Sequence, residues 1–183
     1  MDANTRERIF ETVCGKVQQL ENRHYGSCLY YSHYLATQLF DLGKRVLIQA
    51  GSLQWPRILP SQDDGKCSTH FSYMWENIDE KNRVAISRGV LPEMHVWCAL
   101  PEEQELIDFS TGELPTQCEI TTPMKWTRIQ PPKFFWGGAK DIPEGVIYDP
   151  SYEASLLAMK LLIRMFDPDY IKVLFKQRRL VNG

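Results

Sequence analysis

The sequence predicts an α+β fold in which N-terminal helices pack on an antiparallel β-sheet and C-terminal helices close the domain. Two observations predict it. Apolar residues recur every three or four positions at both ends of the chain, and between Val46 and Ser110 that period gives way to short β-branched or alternating runs. With 183 residues, 43% of them hydrophobic and 24% charged, the chain is long enough to close one core, so residues 1–183 are expected to form a single domain.

From Thr5 to about Glu21, Ile9, Val13, Val17 and Leu20 form one apolar stripe, with Thr5 as the N-cap of a first helix. Asn22 to Ser27 breaks the stripe. Leu29, Tyr30, Tyr34, Leu35 and Leu39 restore it until Gly43, which predicts a second helix capped by Ser27 with Cys28 in its first turn. Val46 to Leu53 is short and β-branched, as a buried strand would be, and Pro56, Pro60 and the polar run Ser61 to Lys66 follow as a loop. His70 to Trp75 reads as the next strand, ahead of a polar turn at Asp79 to Asn82. Met94 to Leu100 and Glu105 to Ser110 read as a hairpin closed by Pro101 to Gln104. Thr121 to Pro150, rich in Pro and Gly, is expected to be an irregular cover with one edge strand at Gly145 to Tyr148. Ala154, Leu157, Ala158, Leu161 and Leu162 then make a helical stripe, and Asp167-Pro168 starts a short last helix over Tyr170 to Arg178.

Formal net charge is −2, and Lys and Arg cluster only at Lys176, Arg178 and Arg179, so no nucleic-acid partner is expected. No apolar run approaches the ~20 residues that cross a bilayer, and Met1 to Arg6 opens polar, which predicts no membrane association and a cytoplasmic location. The five cysteines are odd in number and scattered, unlike a disulfide framework.

One cysteine is different by position. A helix N-terminus stabilises a thiolate through its free N–H groups and dipole, and Cys28 is predicted to sit there. Strand alternation puts His95, Trp97 and Ala99 on one face and Met94, Val96, Cys98 and Leu100 on the other. With a four-residue turn, Leu100 pairs with Glu105 and Trp97 lies opposite Asp108, so Asp108 is the diagonal neighbour of His95 on the same face. A one-residue slip would turn one strand over and separate them. A carboxylate in that place fixes the imidazole tautomer and leaves the other nitrogen to take a thiol proton, which makes Cys28 the candidate nucleophile, His95 the base and then acid, and Asp108 the orienter. The bland alternative is a buried cysteine acting as a small hydrophobe.

A cysteine opening a helix, a later strand reading His-x-Trp at His95 to Trp97, and a following strand ending Ile107-Asp108-Phe109-Ser110 together resemble the transglutaminase-like branch of the papain-like cysteine protease superfamily. The resemblance covers about Tyr25 to Thr111. It implies a papain-like or transglutaminase-like fold, acyl transfer through a thioester with Cys28, His95 and Asp108 in those roles, a small-molecule or peptide acyl substrate, and no metal or organic cofactor. For the oxyanion, the Cys28 N–H is one donor. Asn22 stands six residues before Cys28, where papain relatives place a glutamine amide, and Gln49, Gln54 and Trp97 are further candidates.

Other assignments are open to these residues. Cys67, His70, His95 and Cys98 have zinc-like gaps, yet His95 and Cys98 face opposite sides of a strand. Trp136-Gly137-Gly138 lacks the Lys-Ser or Lys-Thr of a phosphate-cradling loop. His24 is a fallback base, and His33 lies on the second helix. The C-terminal amphipathic helices offer a face to a second copy of the chain, a homodimer, or pack on their own sheet. The rival functional class is a binding domain that keeps this fold without turnover.

Overall fold

A computed structural model describes residues 1–20, 26–59, 61, 68–75, 93–122, 124–128 and 130–166. It is α+β, with four α-helices and a six-stranded antiparallel sheet among those residues. Asn22, His24, Cys67, the turn expected at 79–82 and the last helix expected at 170–178 lie outside them.

Helix α1 spans Ala3–Gln18 and buries Ile9, Val13 and Val17, the stripe read from the sequence. Its N-cap is Asp2 rather than Thr5: the Asp2 carboxylate accepts both the backbone N–H and the hydroxyl of Thr5, at 2.9 and 2.8 Å. An ionised acceptor at the positive end of the helix is the stronger cap. Helix α2 spans Ser27–Asp41, and its N-cap is Gly26 rather than Ser27. Gly26 has φ 71°, a left-handed conformation that favours glycine, and this turn aims the helix so that Cys28 is its second residue.

The sheet is organised on one long strand, β1 (Leu47–Pro56). Residues 47–51 pair with β3 (His95–Leu100), residues 50–54 with β6 (Ile147–Ser151), and residues 53–56 with β2 (His70–Tyr73). β3 continues to β4 (Glu105–Asp108) and β4 to β5 (Phe135–Gly138). The β3–β4 register pairs Leu100 with Glu105, as the four-residue turn predicts. The segment expected to be an irregular cover with one edge strand at 145–148 supplies two strands: β6, at 147–151, paired with β1, and β5, on the β4 edge. Helix α3 (Leu114–Thr121), which apolar periodicity did not announce, has Pro115 in its first turn, where a missing N–H costs nothing.

Helices α1 and α2 bury Val13, Val17, Leu35 and Leu39 against Cys98, Leu100 and Ile107. Helix α4 (Tyr152–Met165) packs Ala154, Ala158, Leu161 and Leu162 with Cys28 and Leu29 of α2 and with Ala50 and Val96 of the sheet. Small residues at 154 and 158, one helical turn apart, let these backbones come close. A third cluster joins Leu53, Trp55 and Phe71 of the sheet with Leu114 and Cys118 of α3 and with Trp126. No helix among the described residues is long and apolar enough to cross a membrane.

Candidate active site

His95 is the first residue of β3 and Asp108 the last of β4. Both are 1% exposed. The β3–β4 register places Cys98 opposite Ile107, so one step further the diagonal predicted between His95 and Asp108 is formed, and His95 Nε2 meets Asp108 Oδ2 at 2.7 Å. An ionised carboxylate only accepts, so Nε2 carries the proton and donates it.

Asp108 is saturated with donors. Oδ1 accepts from the Ser110 backbone N–H at 2.9 Å and from the Ser110 hydroxyl at 2.7 Å. Oδ2 accepts from His95 and from the Tyr148 hydroxyl, the latter at 2.9 Å. Burial opposes ionisation of this carboxyl, but the His95 charge and hydrogen bond, joined by the two Ser110 bonds, outweigh it and hold Asp108 below the usual carboxylate range. Burial likewise opposes the imidazolium, and Asp108 reverses it: the His95 pKa is raised well above the ordinary histidine value. A smaller upward push on His95 comes from Cys28, which places the thiol beside the imidazole. Nδ1 is the nitrogen not held by Asp108. The Cys28 side chain acts on the ring both as a hydrogen-bonding group and through its charge, so sulfur and imidazole are close enough for a proton to pass between them.

Cys28 reaches this point from the helical side of the sheet, where it clusters with Ala50, Met94 and Val96. His95 belongs to the opposite face. The two meet because His95 stands at the very end of its strand and Cys28 at the very end of its helix. As the second residue of α2, Cys28 contributes one of the first four helical N–H groups, which have no acceptor within the helix. Its side chain is 8% exposed.

Aromatic rings wall the imidazole. Tyr73 lies 5.1 Å from it between ring centroids, Trp97 6.1 Å and Tyr148 6.4 Å. Trp97 is committed elsewhere as a donor: its Nε1–H is bonded to Gln49 Oε1 at 3.0 Å, across the β1–β3 pair that joins the two residues. The Trp97 indole donor is thus used by Gln49 and is not free for Cys28. Trp75, which the sequence reading passed over, has the opposite property. Its backbone N–H donates to Ser52 Oγ at 2.9 Å, its indole packs against the cluster containing Cys28, and its Nε1–H is buried with no acceptor among the described residues. A Trp placed at the end of a strand candidate was the available signal. Tyr148 was read only as part of an edge strand.

Cys98 and His33 have structural partners. Cys98 donates to the Ser32 carbonyl at 3.4 Å on the helical face, away from His95. His33 stacks on Phe166 at 3.8 Å. Among the described residues no group of three or more His, Cys, Asp or Glu side chains is arranged to hold a metal ion. No family model, curated protein or solved structure matches this chain.

Proposed function

We propose that this chain is a cysteine-dependent acyl-transfer enzyme of papain-like, transglutaminase-like fold, acting on an amide or ester of a small molecule or peptide through a thioester. The observation that carries the reading is a buried imidazole held through Nε2 by Asp108 and acted on at short range by a cysteine at a helix N-terminus.

In the first half-reaction the Cys28 sulfur acts as a thiolate paired with the His95 imidazolium, its proton held on Nδ1, and forms a bond to the acyl carbon. The tetrahedral intermediate collapses as the bond to the leaving nitrogen or oxygen breaks and His95 returns the proton to that atom. In the second, water or another nucleophile gives its proton to Nδ1 and attacks the thioester carbonyl. The carbon–sulfur bond breaks and the proton goes back to sulfur. Asp108 stays ionised throughout and stabilises the imidazolium between the two transfers. The Cys28 N–H, which has no acceptor within its own helix, and the Trp75 Nε1–H, which has no acceptor among the described residues, are the donors suited to the oxyanion.

A small thiol-directed electrophile such as iodoacetamide tests the assignment. Cys28 is expected to be alkylated faster than Cys14, Cys98 or Cys118 as read by peptide mass, and Cys28→Ala is expected to lose the fast label while keeping its circular dichroism. Fast labelling that persists on another cysteine in that variant would refute the assignment.

A further inference from the structure

We infer that Tyr148 is a positioning residue of the same site, setting the proton affinity of the His95–Asp108 pair through a hydrogen bond to the carboxylate oxygen that holds the imidazole. This rests on the catalytic reading of Cys28, His95 and Asp108 and adds a fourth side chain to it.

The geometry is specific. Tyr148 donates to Asp108 Oδ2 at 2.9 Å while His95 Nε2 donates to the same atom at 2.7 Å. Two donors on one oxygen compete for its charge, so each weakens the other's bond while together they keep the carboxylate ionised. The phenol is held in place on all sides. Its ring packs 5.2 Å from Trp97 and 6.3 Å from Phe135, centroid to centroid. Its backbone is pinned by the Leu53 to Tyr148 pair of β1 and β6, two residues from the pair of Gly51 with Pro150. Burial and the Asp108 charge push the phenol well above its ordinary range, so it remains a neutral donor across the working pH.

The delivery of Tyr148 is also tied to the nucleophile. Ser151, the last residue of β6, caps α4 by accepting the Ala154 N–H at 3.3 Å. Ser155, one turn on, accepts the Ala50 N–H at 2.9 Å and so locks α4 to β1. The same helix then sets Ala154 and Ala158 into the cluster with Cys28. One continuous segment, 147–162, therefore supports the carboxylate at one end and the cysteine at the other.

The test is the pH profile of Cys28 alkylation by iodoacetamide in the full chain, which needs no knowledge of the substrate. In Tyr148→Phe the ring remains and one of four donors to Asp108 is lost. Both the Asp108 and His95 titrations then move upward, the imidazolium is favoured, and the thiolate beside it is favoured with it, so the profile of Cys28 is expected to shift to lower pH by about one unit. Tyr148→3-fluorotyrosine, a stronger donor of nearly the same size, is expected to shift it to higher pH, and this second variant serves where the first does not fold. A profile unmoved in both, or a uniform loss of rate at every pH, overturns the role of Tyr148 and leaves the catalytic reading standing. A wild-type Cys28 whose profile matches that of an exposed thiol overturns the catalytic reading itself, and this inference with it.

Discussion

Replacing Asp108 by Asn keeps the shape of the side chain and changes one oxygen into a donor. Four donors converge on Asp108: the N–H and hydroxyl of Ser110 on Oδ1, and His95 and Tyr148 on Oδ2. The Ser110 N–H is fixed by the backbone and cannot turn away, so the amide oxygen of the new residue must face Ser110 and its nitrogen must face His95. Nε2 then has to accept, which moves the ring proton to Nδ1, the nitrogen turned to Cys28. A protonated Nδ1 cannot take the thiol proton. The imidazolium also loses its counter-charge in a site that is 1% exposed, where burial favours the neutral ring. A wrong tautomer of this kind costs on the order of 10⁴-fold in turnover. Removing one member of a buried charge pair costs about 3–5 kcal/mol, and because the Ser110 bonds survive, the lower end is expected. The assay is steady-state hydrolysis of p-nitrophenyl acetate by folded protein, paired with urea denaturation. Turnover within tenfold of wild type, in a variant that is folded, would refute the tautomer argument.

Two further perturbations separate stability from chemistry. His33 is buried against Phe166, and burial, aided by the nearby Lys16 charge, lowers its pKa from 6.5 to about 4. The unfolded chain therefore binds this proton more readily than the folded one. The stability it contributes is complete above pH 6.5 and is lost as pH falls toward 4, by about 1–2 kcal/mol after allowance for partial solvent access. The urea midpoint should fall between pH 7 and pH 4.5 in wild type and stay nearly level in His33→Phe; an equal fall in both would show that other groups are responsible. His95 has the opposite sign: its raised pKa contributes stability fully present below pH 6.5 and lost only as pH climbs into the alkaline range. Gly51→Ala would drive a Cβ into the Asp149 carbonyl oxygen and place it 2.9 Å from the Pro150 Cα, both backbone atoms of β6. The strand must retreat, at a cost of about 1–3 kcal/mol or more, and Tyr148 must leave Asp108 with it. A urea midpoint equal to wild type would contradict that close approach.

The parts of this protein that were legible in the sequence are those fixed by local period. Strand alternation placed His95 and Trp97 on one face, and a four-residue turn set Leu100 against Glu105; the bond from His95 to Asp108 follows from these two facts. Helices α1, α2 and α4 were legible because their buried residues recur at helical spacing. What was missed depends on long-range contact. Trp136-Gly137-Gly138 reads as a turn, yet it is extended in β5, where a Cβ on Gly137 would lie 2.7 Å from the Asp141 Cβ. Tyr148 is 40 residues from Asp108 in the chain, and only the pairing of β6 with β1 brings its hydroxyl there. Trp97 carried the right residue type for an oxyanion donor, but the cross-strand partner Gln49 occupies its N–H. The end of a strand hid Trp75 for a different reason: no periodicity indicates whether an indole N–H has an acceptor.

The measurement that bears most directly on the acyl-transfer reading is intact-mass and peptide analysis of the protein quenched in acid during turnover of p-nitrophenyl acetate. One acetyl group on Cys28, absent when His95 is replaced by Ala, is the predicted result. Acetylation that spares Cys28, or that reaches it equally well without His95, would contradict it.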